Sequence, residues 1–359
     1  MSYADLDNPE LAFQAKLYTG NSSTQSITLD GDENMQPNWV WVKCRSAAEW
    51  NQFHDSVRGV AKYFFSNTTG TDNERDPNDQ VTSFDSNGFS LGAGANDSVN
   101  TNNATYVAWN WAMGTSFSND ASSTSVGSID SSGSINASAG QSIISWTGTG
   151  SAGTIAHGLS AVPRMIIVKN RDQNDSWYVY HVANGNTHSI LLDTNGAKVG
   201  AYTDNWNNTT PTSSVFSVGG SAATSGASNE KMISYCFADV KGYSRISSFV
   251  GNADTDGPWV FCGFRPSWVI IKNTAASEHW RIYDNKRDPY NHMYHVLFPN
   301  EGSAESTVNN ASEEIDFLST GFKIRSSAQQ LNGSGHTILF MAFAEAPFVN
   351  SKNVPNNAR

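Results

Sequence analysis

Charge is scarce in this chain. Asp, Glu, Lys and Arg make up 15% of its 359 residues, against about a quarter in ordinary globular domains. What charge there is leans acidic, with 33 Asp and Glu against 22 Lys and Arg and a formal net charge of −11. Binding nucleic acid through its phosphates, or adhering to an anionic membrane, needs the opposite balance, so neither partner is expected. Cysteine is nearly absent. Three residues make no disulfide framework, and none stands at zinc-ligand spacing. Cys236 and Cys262 lie in apolar strand patterns and read as buried thiols, whereas Cys44, following a strand-end Lys, is expected to be exposed. No run approaches the roughly 18 apolar residues of a membrane span, and Met1–Asp7 shows neither the basic region nor the apolar run of a signal peptide. The His-Glu-x-x-His, Gly-Lys-Ser/Thr and Gly-x-Ser-x-Gly motifs are missing as well, so no catalytic residue and no cofactor is assigned.

What the chain has instead is repetition. Pro37-Asn-Trp-Val-Trp-Val-Lys43, Pro163-Arg-Met-Ile-Ile-Val-Lys169 and Pro266-Ser-Trp-Val-Ile-Ile-Lys272 share one pattern. Twelve residues after each Lys stands a polar residue closing an aromatic strand: Asp55, His181 and Asp284. Each copy opens on an aromatic, one residue and Gly (Tyr18 and Gly20, Trp146 and Gly148, Phe249 and Gly251) and later carries Phe89, Phe216 or Phe322. It ends in Trp111-Ala112, Phe237-Ala238 or Phe343-Ala344. A period of roughly 100 residues is the size of a small domain, not of a solenoid repeat. Short runs of Val, Ile, Trp, Tyr and Phe between Gly, Asn, Asp and Pro clusters are strand signals. The expectation is all-β: three tandem antiparallel, jelly-roll-like β-sandwich domains. They would span residues 12–114, 141–243 and 244–348. Residues 1–11 would form an N-terminal arm and 349–359 a C-terminal tail, while the Ser- and Gly-rich segment 115–140 reads as a linker. Strands are expected at Ala15–Tyr18, Ile27–Leu29, Trp39–Lys43, Ala61–Ser66, Gly88–Leu91, Tyr106–Ala112 and Tyr243–Val250. A turn or two of helix is expected at Ala47–His54, and tight hairpins at Asn87-Gly88 and Asn332-Gly333.

The recurring Lys43, Lys169 and Lys272 are read as structural, snorkelling along the sheet to pair with the acid twelve residues on. The change from Asp55 and Asp284 to His181 argues against chemistry repeated in all copies, because an imidazole does not do a carboxylate's work. Trp50, Trp177 and Trp280, seven or eight residues after each Lys, read as core aromatics of one strand. Aromatics peculiar to one copy are better candidates for contact. Tyr202 and Trp206 stand among amides, and Tyr290, His292, Tyr294 and His295 among Asp and Asn. A ring flanked by amides and carboxylates suits a sugar, whose C–H face stacks while its hydroxyls hydrogen-bond. Asp254-Thr-Asp256-Gly257 has the start of a calcium loop, but Arg265 occupies the place of its closing Glu; no metal is assigned.

Tyr-Thr-Gly-Asn, Gln-Pro-Asn-Trp-Val-Trp-Val-Lys, Phe-Asp-Ser-Asn-Gly-Phe and Tyr-Val-Ala-Trp-Asn-Trp in the first copy resemble a family of virion proteins of marine tailed phages. So do Val-Pro-Arg-Met-Ile-Ile-Val-Lys-Asn-Arg, Tyr-Asp-Asn-Lys-Arg-Asp-Pro and Met-Ala-Phe-Ala-Glu-Ala-Pro-Phe in the later ones. That resemblance spans nearly the whole chain and implies a structural, tail-fibre or lectin-like protein, made in the host cytoplasm and assembled on the particle. It implies other virion proteins as partners, and by analogy with fibres a homo-oligomer. Tandem units would raise avidity for host surface polysaccharide. Met1–Pro9 would be the virion anchor. The alternatives are a capsid or tail decoration or connector protein without a receptor role, and a glycan depolymerase, whose paired carboxylates need no fixed spacing.

Overall fold

The computed structural model describes residues 4–68, 74–75, 79–93, 99–306, 310–350, 352 and 354–355. Nearly all of its regular structure is strand. The first unit holds β1 (Phe13–Thr19), β2 (Gln25–Thr28), β3 (Trp39–Cys44), β4 (Gln52–Asp55), β5 (Tyr63–Phe65), β6 (Val81–Asp85), β7 (Gly88–Leu91) and β8 (Thr105–Trp111). Then come β9 (Thr115–Asn119), β10 (Ser131–Asn136), β11 (Gln141–Thr147), β12 (Gly153–Ala156), β13 (Met165–Asn170), β14 (Tyr178–His181), β15 (His188–Leu191), β16 (Val199–Gly200), β17 (Val215–Val218) and β18 (Lys231–Phe237). The third unit holds β19 (Ser244–Val250), β20 (Trp259–Phe261), β21 (Phe264–Asn273), β22 (Arg281–Asp284), β23 (Ile315–Leu318), β24 (Gly321–Ile324) and β25 (Thr337–Pro347).

The repeated motifs fall on equivalent strands. Each Pro-to-Lys segment lies between the strand carrying the closing aromatic and the strand carrying the polar residue, in the orders β1-β8-β3-β4-β5, β11-β18-β13-β14-β15 and β19-β25-β21-β22. Register agrees to the residue: Trp39 faces Trp111 and Asp55, Met165 faces Phe237 and His181, and Trp268 faces Phe343 and Asp284. A smaller antiparallel sheet accompanies each: β2-β7-β6, β12-β17 and β20-β24-β23.

Both faces of the main sheets are buried, not one. Val40 and Val42 pack under the first small sheet, Ile166 and Val168 under the second, and Val269 and Ile271 under the third. The alternate residues Trp39, Trp41, Met165, Ile167, Trp268 and Ile270 meet in one cluster drawn from all three units. This explains why the strands read as unbroken apolar runs, since a strand covered on both sides has no face for polar residues. It also explains why the copies differ in size at equivalent places. Trp39, Trp41, Trp109 and Trp111 of the first unit share the cluster with Met165, Ile167, Tyr235 and Phe237 of the second, so the total volume is fixed, not each copy's share of it.

Several local expectations are corrected. Segment 115–140 is not a linker: β9 and β10 extend the edge of β11, and Phe117, Ile129 and Ile135 pack on the second unit's core. Its composition is poor in apolar residues, but it borrows a core already built. Ala47–His54 forms no helix and ends in β4, whose His54 and Phe53 are buried on a sheet. Cys44 is buried, as are Cys236 and Cys262. Asn87-Gly88 does close the β6–β7 hairpin, whereas Asn332 ends a short helix (Gln329–Asn332) that Gly333 caps. Residues 4–11 are docked, with Ala4 and Pro9 buried and Asp5 N donating to Lys241 O at 2.9 Å. Met1–Tyr3 and parts of the tail (351, 353 and 356–359) lie outside the described residues. The Gly of each opening motif has a packing reason. A Cβ on Gly20, Gly148 or Gly251 would run into the backbone at Thr101, Gly226–Ala227 or Asn332–Gly333 respectively.

Candidate functional site

The three lysines are buried and do not reach the acids twelve residues away. Lys43 Nζ donates to Glu49 O at 2.6 Å and Gly302 O at 2.9 Å, Lys169 Nζ to Asp175 O at 2.6 Å, and Lys272 Nζ to Asn273 O at 2.7 Å and Asn195 O at 3.3 Å. Burial lowers Lys43 to about 8 and Lys272 to about 7. Gly302 belongs to the third unit and Asn195 to the second, so these cations tie one unit to another. Lys169 lies 5.7 Å above the Phe64 ring of the first unit. Lysine is suited to this role because one ammonium satisfies several carbonyls.

The polar residues beside them do the same. Asp55 is locked by Arg58 and accepts from Tyr235 Oη of the second unit at 2.7 Å. Asp284 is locked by Arg287 at 2.6 Å and accepts from Trp109 Nε1 of the first unit at 3.0 Å. Strand register makes Trp109, Tyr235 and Met341 equivalent. The residue that His181 would find across its interface is therefore Met341, which has no donor. An Asp there would be buried without its partner, and the Arg three residues on is replaced by Asn184. His181 Nδ1 accepts from Ala183 N at 3.2 Å, which leaves Nε2–H to donate to Phe340 O of the third unit at 3.3 Å. Burial lowers this imidazole to about 4 and keeps it neutral.

Two further sets of contacts close the same ring. Trp177 Nε1 donates to Phe65 O at 3.0 Å and Trp280 Nε1 to Leu191 O at 2.8 Å. In the first unit that place belongs to Asn51, whose Nδ2 donates to Phe298 O at 3.0 Å, while Trp50 is 40% exposed and one residue out of register. Two residues past each Lys, a backbone carbonyl receives the neighbouring unit's amide: Glu305 N to Arg45 O at 2.8 Å, Glu74 N to Arg171 O at 3.4 Å and Lys198 N to Thr274 O at 3.0 Å. Arg45 and Arg171 also bridge Glu305 and Glu74, at 2.7 and 2.8 Å. The repeated polar groups are thus fastenings between units.

The candidate contact residues divide. Trp206 is a correction: it is 1% exposed, edge-on to Tyr180, with Nε1 donating to Ser189 Oγ at 2.9 Å. Its amide-rich surroundings are a short helix (Thr203–Trp206) turned onto the second unit's outer core. Tyr202 is 56% exposed and Tyr290 81%. Tyr290 stands in a loop held from both ends. Asp288 Oδ2 accepts from Tyr294 N and His295 N, both at 2.9 Å, and its other oxygen meets His295 Nδ1. Asn291 exchanges two 2.9 Å bonds with the Phe317 backbone. His292 Nδ1 lies 2.7 Å from Asp316 Oδ1, whose other oxygen accepts from Arg325 Nε at 2.5 Å. The half-buried Tyr294 ring lies on His295 at 4.3 Å. The result is a rim, pinned through Asp288, Asn291 and Asp316, that carries the exposed Tyr290 ring and sets the His292 imidazole and the Arg325 guanidinium on the two oxygens of one carboxylate. Asp256 pairs with Lys323 at 2.7 Å, and Asp254 Oδ1 accepts from Asp256 N at 2.9 Å. Among the described residues no three metal-ligating side chains gather, and no helix is long and apolar enough to cross a membrane.

Sequence reasoning passed over Trp259 and Phe261, 53% and 57% exposed on β20. Their signal was an aromatic on either side of Val260 in a strand whose counterparts carry small residues. No curated protein matches the chain. A single family model spans all three copies together, in keeping with the cluster they share: over residues 8–347 the chain belongs to the family of a domain of unknown function, DUF7483.

Proposed function

We propose that this protein is a non-enzymatic component of a phage particle, a tail fibre or surface appendage that contacts host surface glycans through the Tyr290–His292 rim. The observation that carries this reading is the division of labour among polar groups. Those that recur are spent on joining the units, whereas the outward aromatic and imidazole occur once, on a loop fixed by Asp288, Asn291 and Asp316. A ligand meeting groups already held in place loses less of its binding energy to ordering them. A ring beside fixed donors and acceptors is suited to a hydroxyl-rich partner, and the phage resemblance supplies the setting.

Binding of the purified protein to host surface polysaccharide tests it, by glycan array and titration. Tyr290→Ala and His292→Ala are expected to weaken binding by roughly tenfold each, about 1.4 kcal/mol. Binding unchanged in both variants sinks the assignment, and release of reducing sugar by the wild type would replace it with a depolymerase. A connector role is favoured by one feature, the exposed aromatic edge of β20, which fits assembly with another chain.

A further inference from the structure

The small sheets of the three units differ at one edge. Strands β2, β12 and β20 each end a sheet and pair on one side only, with β7, β17 and β24. Register makes Ser26, Thr154 and Trp259 equivalent, and likewise Thr28, Ala156 and Phe261. In the second unit the chain covers this edge itself. Ser128 N and Ile129 N donate to Thr154 O at 2.9 and 3.1 Å, Thr154 N donates to Ser128 Oγ at 2.9 Å, and Ile129 bridges to Ile155. In the first unit the edge is blunted by Ser26 and Thr28. In the third, among the described residues, it is neither covered nor blunted.

Cys262 N donates to Thr320 O at 2.9 Å and Ile324 N to Pro258 O at 3.0 Å. By antiparallel alternation, the backbone groups of Trp259 and Phe261 are then directed away from β24, to the open edge. Both side chains stand on the outer face, with ring centroids 5.8 Å apart. Past Phe261 lies an apolar groove of about 610 Å³, lined by Val240, Phe261, Cys262, Phe348 and Val349 with Arg245 at its wall. An open edge strand bearing large apolar side chains is a template for pairing.

We propose that β20 is the interface with a second copy of this chain, joined antiparallel about a twofold axis. The edge is self-complementary in that arrangement. Trp259 comes opposite Phe261 of the second copy, the two exchange backbone hydrogen bonds, and aromatic pairs form across the junction. Charge agrees as well. The Asp256 carboxylate, 83% exposed and paired with Lys323, stands at the Trp259 end, and Arg245, paired with Asp239 at 2.8 Å, stands at the Phe261 end, so antiparallel apposition sets one ion pair beside another and no unpaired like charges together. The covered β12 edge shows what this position takes: another extended segment. The proposal stands independently of the glycan-contact reading.

Sedimentation and light scattering of the full chain test it. The wild type is expected at twice the 38.9 kDa chain mass. Trp259→Ser with Phe261→Thr, the first unit's residues, is expected to give a monomer with an unchanged circular dichroism spectrum. Should that variant misfold, Asp256→Arg, a change at an exposed side chain, is expected to raise the dimer's dissociation constant severalfold. A wild type that stays monomeric at roughly 100 µM, any stoichiometry other than two, or a dimer unaffected by these changes overturns it.

Discussion

The junction between the first and second units and the junction between the second and third use the same backbone bond and opposite side-chain chemistry. At the first, Glu74 N meets Arg171 O, and around it stand the Arg171–Glu74 bridge, the Asp55–Arg58 pair and the Tyr235 hydroxyl. At the second, Lys198 N meets Thr274 O, and the matching places hold Lys198, Thr274, His181, Asn184 and Met341. The buried charges have gone together, and the one charge that remains, Lys198 in the place of Glu74, is exposed. A buried charge left without its partner costs several kcal/mol, whereas a whole charged group exchanged for neutral residues costs little. The replacements therefore make sense only as a set, and a set that crosses the junction ties the units to one another.

The comparison breaks most sharply when one member is removed alone. Asp55→Ala leaves the buried Arg58 without its closest partner and frees the Tyr235 hydroxyl; it is expected to cost about 3–5 kcal/mol in urea unfolding. His181→Ala removes a neutral hydrogen bond and is expected to cost about 1–3 kcal/mol. Equal losses would mean that the two junctions do not differ as described.

Acid sharpens the difference. The folded His181 is lowered to about 4 by burial, so between pH 6.5 and 4 the unfolded chain holds a proton that the folded chain lacks. Stability then falls as pH falls, by up to about 1.4 kcal/mol per pH unit for this group. His54 and His157, lowered to about 3 and about 4 by burial, act in the same direction. Asp193, raised to about 6 by burial, acts oppositely from about pH 4 to 6. The slope of unfolding midpoint against pH is thus expected to be shallower in His181→Gln than in the wild type. A parallel slope would place the titration elsewhere. The smallest effect is a repair. Lys198→Glu with Thr274→Arg supplies the missing bridge and is expected to gain at most about 1 kcal/mol, while Thr274→Arg alone gains nothing.

Much of this architecture was legible because the repeat carries its own register. The Pro-to-Lys strands, the polar residue twelve on and the all-β class follow from spacing alone. What the sequence could not show was what lies across from each strand. Trp39-Val-Trp-Val reads the same whether one face is buried or two. The lysines gave no sign that carbonyls of another unit would replace the expected acids. His181 looks like an imperfect copy until register puts Met341 in the place that Tyr235 and Trp109 hold in the other units. Segment 115–140 misled because its few apolar residues suffice once another sheet supplies the rest. Of the contact candidates, Tyr290 is exposed, and His292 is held by Asp316. Trp206 went inward because Ser189, distant in sequence, offers its indole an acceptor.

The central claim is that the three units share one core and one set of fastenings, and so open together. Native-state hydrogen exchange of the wild type and Asp284→Ala tests it most directly. The slowest amides of β3, β13 and β21 are expected to share one opening free energy, and all three are expected to fall by the same amount in the variant. A loss confined to β21, with β13 still protected as in the wild type, would contradict it.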